Sequence, residues 1–258
     1  MCRAHGYSEL PTHYSLGNQL RTRASNPPDQ SKERCQGHLM TTAVADALDI
    51  IEIAFSVIEV LVYYSGSVPP EKLGVEQSSS EAIEELNFRF RQHRIGYEYI
   101  DGKLIRIDSQ YLHEEAVKPA MGLLQHMAFA GPSEEFMKAH EHYRHRRNKE
   151  AMNEALKAFE STMKAICEAR GWNCRPTATA SELVQTLLDN DLVPTHLQAH
   201  FNALRSTLES GLPTLRNKQS GHGQGIQPVD VPDYLARYAI NLAATNIVLL
   251  VEAHQLDQ

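Results

Sequence analysis

The sequence predicts a mostly α-helical protein with two helical domains, the first carrying one β-hairpin. Three observations predict it. Apolar residues recur at three- and four-residue steps along most of the chain beyond residue 40, the period of a helix with one buried face. Helix starts and stops punctuate those runs at short intervals, as where Thr179-x-x-Glu182 precedes Leu183, Val184, Leu187 and Leu188. Strand-type patterning occurs in one place, where Tyr97-Glu-Tyr-Ile100 and Lys103-Leu-Ile-Arg-Ile107 flank Asp101-Gly102, a hairpin turn pair.

Residues 1–38 are polar, with Pro27-Pro28 in their middle, and predict an irregular tail. A helix follows from about Met40 to Tyr64, closed by Ser65-Gly66 and Pro69-Pro70. Ser78–Ser80 cap the next, which opens on Glu81 and ends near His93. Its Arg89, Arg91 and Arg94 form a basic end of the kind the helix dipole favours. After the hairpin, Ser109–Ala130, Pro132–Arg146 and Arg147–Arg170 read as successive helices, with Gly131-Pro132 as a break. The first domain is therefore expected over 39–146 and the second over 147–258.

In the second domain Leu156, Phe159, Met163, Ile166 and Cys167 share one face of a long helix. Asp189 to Pro194 end the helix that Thr179 caps, and Thr195 caps another carrying Leu197, Phe201, Leu204 and Leu208 to Gly211. Pro213 suits the first turn of a short third helix starting near Thr214. Asp230, Pro232 and Asp233 open the last helix. Leu235, Tyr238, Ala239, Leu242, Thr245, Ile247 and Leu249 are expected to supply its packed face, with Ala243-Ala244 admitting a close neighbour.

Composition narrows the function. The chain has 258 residues, 42% of them hydrophobic and 22% charged, which suits a soluble globular protein. A net charge of −7 excludes a protein that coats nucleic acid with its whole surface, so any RNA contact is local. Cys2, Cys35, Cys167 and Cys174 show no C-x-x-C spacing and read as reduced thiols, although Cys167 and Cys174 flank a helix end closely enough to touch. No signal-peptide core is present, and the most apolar window, Ala43–Tyr64, carries Asp46, Asp49, Glu52 and Glu59. A cytoplasmic protein without a membrane span is expected.

One stretch concentrates chemistry. Leu215–Gly225 reads Leu-Arg-Asn-Lys-Gln-Ser-Gly-His-Gly-Gln-Gly and sits between two amphipathic runs. It presents a guanidinium (Arg216), an amide (Asn217) and an imidazole (His222) on a glycine-rich loop. RNA cleavage by its own 2′-OH needs a proton taken and another given, which imidazole does near pH 7. It also needs the phosphorane's charge held, which a guanidinium does through paired hydrogen bonds. No cofactor or metal is needed. The spacing is common, since roughly two such Arg–His pairs arise by chance in a chain this rich in both. A second pair, Arg106 and His113, lies on a strand and a helix with no glycine loop and is set aside.

Other candidates have plainer readings. His140, His142 and His145 lack a His-Glu-x-x-His pattern or a cysteine cluster, so no metal is expected there. Tyr143-Arg-His-Arg-Arg-Asn-Lys149 is the densest basic run. Its Arg144, Arg146 and Arg147 are candidate RNA contacts or else a charged helix junction. Glu160 pairs with Lys164 at i, i+4, or turns to Arg216 and holds it.

Arg216-Asn217-(four residues)-His222, near the start of a third helix in a four-helix C-terminal unit, resembles the signature of the HEPN superfamily. Together with Tyr238-Ala-Ile-Asn-Leu-Ala-Ala-Thr-Asn-Ile-Val-Leu-Leu-Val-Glu252 it resembles the abortive-infection C-terminal family of phage-defence proteins, from roughly Glu150 onward. Glu84–Tyr97 and His126–Lys164 resemble the N-terminal portion often joined to it, whereas residues 1–40 do not match. The resemblance implies a C-terminal four-helix HEPN-like bundle and a metal-independent endoribonuclease of an abortive-infection or toxin type. His222 would be general acid or base, Arg216 would bind the scissile phosphate and Asn217 would orient either, supported by Glu160, Lys218, Gly221 and Gly223. It further implies a homodimer with both motifs facing one cleft and an N-terminal portion that senses a trigger, with an antitoxin or sensor partner left open. Two alternatives remain at this point: a non-catalytic module that binds RNA, a nucleotide or a partner through the same loop, and a dimeric scaffold.

Overall fold

The computed structural model describes residues 28–65, 77–197, 199 and 231–256. The chain divides into two compact units, residues 1–86 and 87–258. The described fold is mostly helical, with one antiparallel hairpin.

The first unit holds α1 (Pro28–Thr41), α2 (Val44–Ser65) and the opening of α3 (Ser79–Gln92). The irregular stretch expected up to residue 38 therefore gives way at Pro28; residues 1–27 lie outside the described residues. Proline's fixed φ and missing N–H are tolerated at a first helical position, so Pro28 opens a helix rather than extending a tail. Ser78 caps α3, its backbone N–H and its hydroxyl each donating to Glu81 Oε2 at 2.9 Å.

The second unit begins on the other half of α3, which buries Phe90. Asn87 fixes the hairpin to this helix: its amide donates to the Tyr99 carbonyl at 2.9 Å and accepts from the Tyr99 N–H at 2.7 Å. β1 (Tyr97–Ile100) pairs with β2 (Lys103–Arg106) in the register Tyr97↔Arg106 to Ile100↔Lys103. Asp101 (φ 47°) and Gly102 (φ 81°) make the tight turn, whose twist needs φ > 0 at both positions. Gln110–Leu112, a π-helical turn over His113–Val117 and Lys118–Leu124 run on as one helix, α4. It stops earlier than the expected Ala130, and a 3₁₀ turn (Met127–Phe129) leads into α5 (Ala130–Arg144). Gly131-Pro132 does not break a helix; it lies in the first turn of α5, where the N–H that proline lacks has no partner to lose.

The turn His145–Arg147 folds α6 (Asn148–Ala169) back along α5, so the expected domain boundary at Arg146 falls between two helices of one unit. Phe159, Met163, Ile166 and Cys167 are buried as expected, while Leu156 is half-buried. Gly171 (φ 68°) closes α6, and Thr179 and Glu182 form the reciprocal cap that starts α7 (Ala180–Asp189). A 3₁₀ turn (Thr195–Leu197) follows. The expected helices over 197–211 and after Thr214 lie outside the described residues.

α8 (Asp233–Leu256) lies along α6. Of the expected face, Ala239 and Ile247 are buried and Leu235, Leu242 and Leu249 pack half-buried against the core, but the centre of the face is set by smaller residues. Ala236, Ala239, Ile240, Ala243, Ala244, Ile247, Leu250, Val251 and His254 are buried, whereas Tyr238 is 52% exposed and Thr245 lies outside. Four alanines let the α8 backbone approach the bundle closely, and a tyrosine on that side would hold it off. By length and hydropathy α8 would also suit a bilayer, but its inner stripe is protein core.

Candidate functional site

Arg216, Asn217, Lys218, Gly221, His222 and Gly223 lie outside the described residues, between Leu197 and Val231. The structure does describe both ends of that segment. Leu197 packs on the core, and Val231 is buried just before α8.

The foot of α8 is held by side chains from α6 and β2, backed by one from α5. Asn148, at the start of α6, donates from Nδ2 to the Val231 carbonyl at 2.7 Å and to Asp233 Oδ1 at 2.9 Å. Arg106, from β2, donates to Asp233 Oδ2 at 3.0 Å and to Asp108 Oδ1 at 2.9 Å. The Tyr143 hydroxyl of α5 donates to the other Asp108 oxygen, and the Arg106 guanidinium stacks 4.7 Å from the Tyr143 ring centroid. The Asn148 bond, with Arg106 second to it, holds the Asp233 carboxyl below the usual range despite some burial. Burial, then the bond to Asp108, pushes the Tyr143 phenol up, so it stays a donor. The network fastens Val231 and Asp233, at the foot of α8, to the bundle. The sequence hid it because an Asn and an Asp at two helix starts already have a capping explanation.

The Arg106–His113 pair was set aside for want of a shared pocket, yet the structure brings both to one depression with Asp108, Tyr143 and His140. Their functional groups are engaged elsewhere. Arg106 holds two carboxylates, and His113 Nε2 lies 2.7 Å from Glu98 Oε2 in the interior. The His113 bond, opposed by burial and aided by Lys118, holds the Glu98 carboxyl down to about 2. His140 is fully enclosed with neither ring nitrogen hydrogen-bonded, and burial, with His113 adding to it, pushes its pKa down to about 3. Among the described residues no group of three or more His, Cys, Asp or Glu converges as a metal site.

Arg144, Arg146 and Arg147 sit at the α5–α6 turn. Arg144 is half-buried, while Arg146 (φ 57°) and Arg147 are exposed. Arg146 is near enough to Asp233 to lower its pKa, so a solvent-facing guanidinium stands beside the foot of α8. Glu160 is half-buried on α6.

Residues 130–254 match the family described as a HEPN-like domain, and residues 1–121 match AbiJ N-terminal domain 4. The chain belongs to the abortive-infection HEPN family. In this abortive-infection HEPN protein the matched C-terminal domain starts at α5, upstream of Glu150, and takes in the basic turn, the Asn148 clamp and α8. The N-terminal match includes residues 1–40, which the sequence resemblance had left out. No curated protein and no solved structure matches the chain.

Proposed function

We propose that this protein is a metal-independent endoribonuclease acting in phage defence through Arg216, Asn217 and His222. The observation that carries the reading is that these residues fall inside the HEPN-like match and precede in sequence a helix whose foot is clamped by Asn148 and Arg106. Positional catalysis needs a guanidinium and an imidazole held in a repeatable geometry, and a clamped helix just downstream supports that.

His222 takes the proton of a ribose 2′-OH or returns one to the 5′ oxygen. The 2′ oxygen attacks phosphorus, the P–O5′ bond breaks, and the products are a 2′,3′-cyclic phosphate and a 5′-OH. Arg216 pairs with the non-bridging oxygens as their charge grows, and Asn217 orients one of the two groups. Lys218 adds charge, Gly221 and Gly223 let the backbone approach, and Glu160 steadies Arg216. One imidazole cannot be base and acid in the same step, so a homodimer with two motifs facing one cleft completes the chemistry. Arg146 and Arg147, exposed beside the foot of α8, hold flanking phosphates.

Incubation of the purified protein with total RNA in EDTA tests the proposal, alongside His222→Ala and Arg216→Ala. Chelator-resistant cleavage with cyclic-phosphate ends, lost in both variants, is expected. RNA binding without cleavage would make the chain a binding module instead, and an inert dimer would make it a scaffold.

A further inference from the structure

At the base of the hairpin, where α3 ends, the second unit has an open cavity of about 420 Å³, within the size range of small-ligand sites. Its wall includes Arg91, Arg94, Ile95, Tyr97, Asp108 and Gln110. None of these belongs to the proposed cleavage motif. We propose that this cavity binds a ribonucleotide, with its phosphate on Arg91 and Arg94.

Three observations carry the assignment. The first is the conformation of Arg94. α3 closes with Ile95 N–H bonded to the Phe90 carbonyl at 2.8 Å and Arg94 N–H to the Arg91 carbonyl at 3.1 Å, leaving Arg94 left-handed at φ 52°. A helix stop of this kind favours glycine, which adopts that φ without strain. The chain instead keeps a long cation there, at the cavity rim, and Arg94 makes no ion pair among the described residues. A strained residue at a pocket is a pointer to use.

The second is the bare floor. Gly96 accepts a hydrogen bond from Ile107 N–H at 2.9 Å, and a Cβ on it would come within 2.9 Å of the Ile107 carbonyl oxygen. The close approach of the Ile107 backbone therefore requires glycine here, and Gly96 lies exposed beside the arginines with no side chain of its own to cover them.

The third is the mixture of partners. Two guanidiniums suit a phosphate, and Tyr97 with Ile95 offers a surface for a planar base. The carboxylates in the wall do not repel the anion outright. Glu98 is taken up by His113 and Lys118, with the Arg91 guanidinium in a looser pair 3.8 Å from its Oε1, and Asp108 by Tyr143 and Arg106. Asp108 keeps acceptor capacity for a ribose hydroxyl. It also shares the Arg106 guanidinium with Asp233, so a ligand on Asp108 bears on the foot of α8. That link to cleavage rests on the nuclease reading; the binding does not.

Calorimetry on the full chain tests it, titrating each of the four ribonucleoside 5′-monophosphates, the matching nucleosides and inorganic phosphate. At least one monophosphate is expected to saturate the site, at least about tenfold tighter than its nucleoside or phosphate alone. Arg94→Gly removes the cation while relieving the left-handed backbone, so melting temperature should hold or rise while affinity falls about tenfold or more. Arg91→Ala should weaken binding likewise. Absence of saturable binding, equal affinity for the nucleoside, or unchanged affinity in both variants would overturn the proposal. Cleavage by Arg94→Gly, assayed without nucleotide and expected to stay intact, keeps this result separate from the fate of the nuclease reading.

Discussion

Asn148→Ala removes the amide that ties Val231 and Asp233 to α6. The buried Val231 carbonyl loses its partner, a cost of about 1 kcal/mol, and the bond to the Asp233 carboxylate is worth ~2 kcal/mol more. Against this, the side-chain oxygen of Asn148 is itself buried without a partner, so its removal returns ~1 kcal/mol. The net loss is about 2 kcal/mol, or a fall in melting temperature of ~4–8 °C for a unit of this size. The variant also loosens the exit of the segment carrying Arg216 and His222, and cleavage should drop by about one to two orders of magnitude through geometry alone. Thermal melts at pH 7 and an RNA cleavage time course read the two effects. Asn148→Asp provides the control: it sets a second carboxylate against Asp233, so its deficit should exceed that of alanine at pH 7 and shrink as the pH is lowered. A melting temperature within about 1 °C of the parent, with cleavage unchanged, would refute the clamp.

Two further outcomes follow from the interior of the second unit. The Glu98 carboxyl is held at about 2 against an ordinary 4.5, so the stability it contributes is present above pH 4.5 and lost as pH falls toward 2. Glu98→Gln should flatten the melting temperature over that window, and equal slopes in both proteins would contradict the pairing with His113 and Lys118. His140 has its pKa depressed to about 3 from 6.5, so the unfolded chain takes up the extra proton and stability falls as pH drops from 6.5 toward 3. His140→Leu should remove that slope and, by replacing an unpaired buried ring, raise stability at pH 7 by ~1 kcal/mol. A less stable variant would refute the reading that the unpaired ring is a net cost, its edge contact with Phe136 then outweighing the missing hydrogen bonds.

The candidate site is legible as chemistry alone, since Arg216, Asn217 and His222 lie outside the described residues. They stand out because a guanidinium, an amide and an imidazole fall together in a glycine-rich stretch, although the Arg–His spacing alone is common. Arg106 and His113, which the sequence places on separate elements, do line one depression, where Asp108 and Asp233 hold the guanidinium and Glu98 the imidazole. Spacing along a chain says nothing of which carboxylate from another element will arrive.

The sequence by itself determined the class of the fold, the hairpin at Asp101-Gly102, the Thr179–Glu182 cap and the buried face of α6, because each depends on residues within a few positions of one another. Only the tertiary structure decided which face of α8 turns inward and what holds its foot. There the competing choices were both helical and both apolar enough, and the outcome rested on how closely Ala236, Ala239, Ala243 and Ala244 let two helices approach. The Arg106–Asp233 contact spans more than half the second unit's sequence, and no local pattern encodes a bond of that reach.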